Sequence, residues 1–358
     1  MKLPKPPENT TDPKIPLSRW DKIVTSTPVV MTVLATLLAG LSVSESNQAQ
    51  YYRSLSAQNQ SKAGDQWNFF QAKKLHATDT TNSVKGMRNL GDMATLKIDS
   101  FATVVAHVIQ SFASSPASVE KAHAIQQQIL PILSEPDVKF AMEMLTTPLP
   151  PPNALKISDP KIREAYETLK KNRGDDVPRL IFGSVNADAL QETIRVAGRN
   201  AEASDDELQP ALTGIVKLEK LLDQLANVSG LVNQPATQPA SRPSIAATDR
   251  GSPAEIRQLA ADFTVAEGRF DSARHNREAK LNQQTAYLYE VAVRKTSWQS
   301  DRSLIRSRYF FYGMLGAQAA VLIATFSLAV RERSGLWILA ASIGTVAMTY
   351  AGYVYLFT

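Results

Sequence analysis

Three long stretches of the chain are apolar and free of charged residues. They are residues 23–43, 309–330 and 336–357, each 21 or 22 residues long. A helix rises about 1.5 Å per residue, so each stretch is long enough to cross a hydrocarbon layer of roughly 30 Å. Trp20 and Trp337 lie at span ends, where aromatic side chains mark membrane interfaces. The pattern therefore predicts three transmembrane helices.

The first apolar stretch is compatible with two fates. Its basic leader, residues 1–22, and the small-x-small sequence Ser42-Val43-Ser44 are typical of a cleaved signal peptide. The leader is also long and rich in proline, which favours a retained anchor. We expect a retained span, with cleavage as the open alternative.

The region between the spans, residues 45–308, has a helical pattern. It contains no run of alternating β-branched residues bounded by hairpin turns. The predicted fold class is therefore all-α, with three transmembrane helices plus an extramembrane helical domain. An inserted helical domain is predicted at 84–229, with helices at 84–113, 117–134, 137–146, 160–173, 186–201 and 206–229. Residues 230–251 lack a periodic apolar pattern and predict a flexible linker.

A long helix is predicted from residue 253 into the second span. It begins at the capping box Ser252-Pro253-Ala254-Glu255, where proline occupies the first helical position. No proline follows before the membrane. The part of this helix outside the membrane would cover residues 253–308.

The long helix carries a heptad-spaced apolar seam from Ile256 to Ile305. Arg277 and Gln284 interrupt it with polar side chains. This spacing indicates a coiled-coil-like pairing or, alternatively, an amphipathic helix lying on a globular core. In either case the seam needs a partner.

The candidate partner is the membrane-proximal helix predicted at 45–77. Both helices leave the same membrane face, so residues equally far from their spans stand at the same height. Counting 23 residues outward from Ser44 and from Tyr309 places Trp67 opposite residue 286. We therefore predict a long coiled-coil-like hairpin. Its expected contacts join Trp67 and Phe70 to Tyr287, Leu288 or Val291.

The distribution of Lys and Arg bears on orientation. Either orientation places seven basic residues near the spans on each side. Long loops translocate largely regardless of charge, so the N-terminal tail and the turn at 331–335 carry more weight. We expect a multi-pass protein of the bacterial inner (cell) membrane, with a cytoplasmic N-terminus and residues 45–308 extracytoplasmic.

The sequence offers little that would support catalysis. It has no cysteine, and the phosphate-loop, dinucleotide, zinc-protease and nucleophile-elbow motifs do not occur in it. The four histidines are scattered without metal-ligand spacing. The net charge of +5 comes from dispersed basic residues, which does not favour nucleic acid. We expect no enzyme activity, no metal and no cofactor; the expected partners are the lipid bilayer and either a second copy or another membrane protein.

Small and polar residues within the spans indicate close helix packing. Gln318 is the one strongly polar side chain in the second span, and we expect it to face another helix rather than lipid. It would bind helices together or, alternatively, line a conduction path. Gly344 and Gly352 lie on a face of small residues in the third span, which lets helices approach closely.

One stretch of the sequence resembles a known family. AGDQWNFFQAKK, residues 63–74, is similar to the DQW-x-[YF]-[YF]-QAK motif of a bacterial family of uncharacterised membrane proteins, domain of unknown function four-three-three-seven. The basic turn at 331–333 followed by Leu336-Trp337 is similar to that family as well. The resemblance covers residues 20–77 and 265–358. It implies an integral membrane protein with an extramembrane helical hairpin, an insertion at 80–250, and no known catalytic residues.

These patterns together predict a noncatalytic membrane protein that acts as a membrane-anchored helical scaffold or assembly protein. The alternative is a subunit of an oligomeric channel or transporter, in which the Gly344 and Gly352 face lines or closes a pore. The predicted interaction residues are Asp65, Gln66, Trp67, Phe70, Gln71, Lys73, Gln284, Tyr287, Gln318, Gly344 and Gly352.

Overall fold

The computed structural model describes residues 19–90, 96, 98–112, 127, 129–171, 179–228, 253–329 and 333–357. In these ranges no strand occurs, so the predicted all-α fold class is confirmed. The helices named below are α1 (Arg19–Leu90), α2 (Ile98–Phe112), α3 (Pro136–Thr146), α4 (Pro160–Lys171), α5 (Arg179–Gly183), α6 (Ala187–Val228), α7 (Pro253–Ala329) and α8 (Arg333–Phe357).

The chain divides into two compact units. The membrane unit comprises Met1–Gln58 and Val293–Thr358, and the helical unit comprises Asn59–Ala292. Three helices, α1, α7 and α8, are long and apolar enough to cross a membrane. The chain is therefore built as a multi-pass membrane protein, as its apolar stretches predicted.

Helix α1 is longer than the sequence pattern indicated. The sequence pattern predicts a span at 23–43, a separate helix at 45–77 and the start of another helix at 84. The structure has one continuous helix of 72 residues. The only proline inside it is Pro28, in its third turn. Three glycines lie inside α1, at positions 40, 64 and 86, and a Cβ at any of them would meet no atom within 4 Å. A glycine within a helix lowers its stability by only about 1 kcal/mol relative to alanine. Nothing in the local sequence therefore ends the helix.

Helix α6 also joins two predicted helices. The predicted helices at 186–201 and 206–229 are continuous in the structure: the acidic run Asp205-Asp206-Glu207 lies within α6, and Pro210 follows inside the same helix. One face stays buried on both sides of the proline, at Ala197, Ser204, Leu208, Ala211, Ile215 and Leu218. Burial of this face outweighs the local break signals.

The remaining predicted helices have mixed outcomes. Those at 137–146 and 160–173 correspond to α3 and α4 within two residues. The predicted helix at 84–113 is divided between the end of α1 and α2, and α5 was not predicted. Residues 1–18 of the predicted tail, most of 117–134 and the linker at 230–251 lie outside the described residues.

The helical unit contains two apolar cores. The first gathers α2, α3, α6 and the start of α7, with Phe101, Val138, Leu218, Leu225 and Phe263 fully or almost fully buried. The second gathers α4, α5, the start of α6 and the Tyr287–Ala292 part of α7, with Trp67 packed against it. Burial of these side chains, at roughly 1.5–3 kcal/mol each, is the main source of stability in such a unit.

The apolar seam of α7 therefore lies on a globular core in its first part. Ile256, Leu259, Phe263, Ala266 and Phe270 all belong to the first core, which the inserted helices α2, α3 and α6 supply. This matches the amphipathic-helix alternative over these residues. A coiled-coil geometry of α1 and α7 stays a prediction.

The membrane unit is held together by small residues and hydroxyl groups. Ala317, Ala320 and Ala324 of α7 are fully buried, which brings the spans close together. Ser42 Oγ donates to the Ser307 carbonyl (2.9 Å), and Ser307 Oγ donates to the Ser42 carbonyl (2.8 Å). This reciprocal pair joins α1 to α7 through backbone atoms on both sides.

Candidate functional site

Trp67 is the centre of an aromatic cluster in the helical unit. Its Nε1–H donates to Oε1 of Glu290 at 2.7 Å. Its ring meets Phe70 edge to face at 5.5 Å and Tyr287 at 5.2 Å between centroids. The contact between Trp67 and Tyr287 that the residue count predicted is therefore present. Phe70 lies on α1 with Trp67, whereas Tyr287 lies on α7.

The aromatic cluster continues into the second core. Tyr287 is buried and meets Tyr166 of α4 edge to face, with ring centroids 5.8 Å apart. Burial, with smaller contributions from the nearby Glu167 and Tyr287, raises the pKa of Tyr166 to about 12. The Tyr166 hydroxyl therefore stays protonated near neutral pH and is not suited to act as a general base. The cluster's geometry is that of packed aromatic side chains.

The other residues of the motif-like stretch point in different directions. Asp65 and Gln71 are exposed on α1, and Gln66 is half-buried. Lys73 turns inward, and its Nζ lies 2.5 Å from Oε2 of Glu278 on α7. Gln284 is half-buried on α7. The predicted interaction residues of this unit thus divide into an internal group and an exposed group.

A charged groove of about 470 Å³ lies beside Lys73, and the sequence analysis did not identify it. Glu278 is its central acidic group, with Lys73 at 2.5 Å, Arg274 Nε at 3.3 Å and His275 Nδ1 at 3.6 Å from its carboxylate. Glu202 and Asp205 of α6 line the opposite wall. The ion pairs of Glu278 lie within the chain, as in an internal ion-pair network.

The sequence did carry a signal for this groove. The residue count that placed Tyr287 opposite Trp67 also places Glu278 within about one helical turn of Lys73, and the two carry opposite charges. His275 in the same network has its pKa held below the ordinary value by burial and by Arg274. Arg277, which interrupts the apolar seam, pairs with Glu207 of α6. That partner could not be found by counting from the membrane.

The predicted interaction residues of the spans have different surroundings. Gln318 is exposed on the surface of the membrane unit, so no described helix of its own chain covers it. The expectation that it faces another helix stays a prediction. The buried face of α7 is taken by Ala317, Ala320, Ala324 and Ser327, and Gln318 lies outside it. Within a single chain, the amide therefore faces lipid.

The two glycines of the third span do not share one environment. A Cβ on Gly344 would lie 2.2 Å from Cε of Met31 in the first span, so this glycine permits close helix contact. Gly352 is exposed with open space around it. The buried positions of α8 are spaced alternately by four and three residues, at Ala340, Gly344, Ala347, Ala351 and Val354. Steps of four from Gly344 drift off this face and reach Gly352 on the outside.

Over the described ranges, no group of three or more His, Asp or Glu side chains has an arrangement that would hold a metal ion. Comparisons of the chain with models of protein families, with curated proteins and with solved structures find no match. The resemblance of residues 63–74 to domain of unknown function four-three-three-seven accordingly stays a prediction.

Proposed function

We propose that the protein is a noncatalytic scaffold that holds a folded helical unit at a membrane and assembles there. The observation that supports this proposal is that Trp67 makes its contacts within its own chain. Trp67 hydrogen-bonds Glu290 and packs against Phe70 and Tyr287. Lys73 is likewise paired with Glu278. These residues build a rigid unit rather than converge on an open reaction centre.

The proposed location is the bacterial inner membrane, with the N-terminus cytoplasmic and the helical unit outside. The apolar lengths of α1, α7 and α8 support membrane insertion. The basic residues of the short tail and of the 331–335 turn support this orientation.

The channel alternative requires the Gly344 and Gly352 surface to line a pore. Gly344 faces Met31 of the same chain, and Gly352 lies on a different side of α8. We therefore propose the scaffold alone.

The scaffold proposal is tested by Trp67→Ala and Phe70→Ala in the full-length chain. Both variants should remain in the membrane fraction after alkaline extraction, because the spans are unchanged. Both should lower the fraction of protein recovered in assemblies larger than one chain, because the helical unit loses its aromatic contacts. The readout is chemical cross-linking in native membranes with an amine-reactive reagent.

Phe69→Ala is the matched control for this experiment. Phe69 lies on the same helix, but its side chain is 55% exposed. Its substitution should leave the assembled fraction unchanged. Equal assembly of wild type, Trp67→Ala and Phe70→Ala would refute the scaffold proposal, as would a reaction catalysed by the purified chain and abolished by these variants.

A further inference from the structure

The second span has an unpaired face with regular spacing. Phe311, Leu315, Gln318, Leu322 and Thr325 are all exposed on α7, and they alternate by four and three residues. This is the spacing of the contact positions in a left-handed pair of helices. We call these five residues the Gln318 seam. Phe311, Leu315 and Leu322 are 45%, 44% and 62% exposed, so the seam is open along its length.

Gln318 is the polar centre of this seam. It lies about 14 Å from Tyr309 along the helix axis, which puts it close to the midplane of a hydrocarbon layer roughly 30 Å thick. No described side chain or backbone group hydrogen-bonds its amide. An amide exposed to hydrocarbon without a partner is costly, and a partner on another helix removes that cost.

The serine and threonine hydroxyls on the exposed surface near the middle of the spans do not need an external partner. Ser342 and Thr345 of α8 each donate to a carbonyl one turn earlier in their own helix, at 2.8 Å. Thr349 does the same at 2.9 Å. Thr325 of the seam also bonds its own helix, at 2.8 Å from the Val321 carbonyl. Unlike these hydroxyls, the Gln318 amide has no bond within its own helix.

A second copy of the same chain fits this demand. All copies insert in the same orientation, so two facing α7 helices run parallel and bring Gln318 to the same depth in both. A primary amide is both donor and acceptor, so two of them can satisfy each other across a two-fold axis. A different protein would need its own polar group at this depth, whereas symmetry provides one.

We propose that two copies of this chain pair in the membrane along the Gln318 seam, with their Gln318 amides hydrogen-bonded to each other. The leucines at 315 and 322 pack one turn above and below the amides. At the next contact position outside the membrane both chains carry an exposed Arg308, whose like charges limit the pairing to the span. The inference deepens the scaffold proposal by naming the partner and the surface.

Cysteine cross-linking tests the geometry, since the chain has no cysteine of its own. Leu315→Cys and Leu322→Cys are placed singly in the full-length protein, reconstituted in phosphatidylcholine vesicles and oxidised. Both should give a disulfide-linked dimer. Leu37→Cys on α1 and Val346→Cys on α8 are matched controls, because the native side chains are 61% and 68% exposed on the other spans. Cross-linking at the controls but not at the seam would overturn the proposal.

Substitution of the amide tests its role. Gln318→Leu should weaken dimerisation roughly 3- to 10-fold, the range typical of one hydrogen bond between membrane helices. Gln318→Asn keeps an amide and should retain most of the affinity, and Thr345→Val should leave it unchanged. Energy transfer between donor- and acceptor-labelled chains, measured against lipid dilution, gives the affinities. An unchanged affinity in Gln318→Leu would overturn the amide pairing even if the seam cysteines cross-link.

The outcomes separate this inference from the scaffold proposal. Failure of seam cross-linking, with larger assemblies still sensitive to Trp67→Ala, would overturn only the Gln318 seam. Seam dimers together with assembly that ignores Trp67→Ala and Phe70→Ala would overturn only the scaffold proposal.

Discussion

At the scale of single residues, the hydrogen bond from Trp67 to Glu290 links α1 to α7 within the helical unit. It joins an indole N–H to a carboxylate oxygen in a partly buried setting. On folding, each group exchanges a hydrogen bond to water for the hydrogen bond to the other group. Hydrogen bonds with a charged partner are worth more than neutral ones, and loss of one partner leaves the other unsatisfied.

Trp67→Phe is expected to destabilise the helical unit by about 1–2 kcal/mol, because it keeps an aromatic ring but removes the indole N–H donor together with part of the ring. The free energy of unfolding can be measured by urea-dependent proteolysis of the full-length chain in nanodiscs. Phe69→Leu on the exposed side of α1 is the control and should change it by less than about 0.5 kcal/mol. Equal stability of Trp67→Phe and wild type would show that the bond contributes nothing.

His275 makes stability depend on pH. Burial and the neighbouring Arg274 hold its pKa below the ordinary value of about 6.5. The unfolded chain therefore takes up a proton at a higher pH than the folded chain, and stability is lost as pH falls below about 6.5. In His275→Gln this loss should be absent, so the variant should have a flatter profile between pH 7 and 5, measured by the same proteolysis. Parallel profiles would contradict the prediction.

At the scale of elements, α3 and α6 pack so closely that one position accepts no side chain. A Cβ on Gly214 of α6 would lie 2.1 Å from the Asp137 carbonyl oxygen and 2.6 Å from Cβ of Ala141. Both neighbours belong to the backbone or are fixed directly to it, so neither can move without moving α3. Lys217, one turn further on, bonds Glu135 at 2.6 Å and Asp137 at 3.2 Å beside this contact.

Gly214→Ala should therefore destabilise the helical unit by about 1–3 kcal/mol, the usual cost of overpacking a core. Gly198→Ala is a matched control in the same helix, because a Cβ there meets nothing within 4 Å. It should instead stabilise by about 0.5–1 kcal/mol, since alanine is the better helix former. Thermal unfolding followed by circular dichroism compares the two. A shift of both variants in the same direction would contradict the packing argument.

At the scale of the whole molecule, the spans fix which parts of the chain share a side of the membrane. With three spans, the helical unit and residues 331–335 lie on opposite sides. The proposed orientation, which rests on the basic residues of the tail and of 331–335, puts residues 331–335 inside. Leu180→Cys, at a side chain 78% exposed, should thus react with an impermeant maleimide in intact spheroplasts. Gly335→Cys should react only after lysis, and the reverse pattern would invert the proposed orientation.

The sequence by itself determined the features that depend on local spacing. Apolar runs of membrane length predicted the three spans, and the capping box with Pro253 predicted where α7 begins. Counting residues from two spans placed Trp67 opposite residue 286 and so predicted its contact with Tyr287, because helices rise by a constant amount per residue. None of these inferences needs knowledge of distant contacts.

Only the tertiary structure decided the features that depend on which surface is buried. Helix α6 continues through Pro210 because one face of the helix is buried on both sides of the proline. Arg277 pairs with Glu207 of α6, and the height of α6 above the membrane cannot be obtained by counting residues from a span. Gln318 lies outside because the small residues of α7 take the inner face. Periodicity shows that a helix has a buried face, whereas competition among all the helices decides which partner covers it.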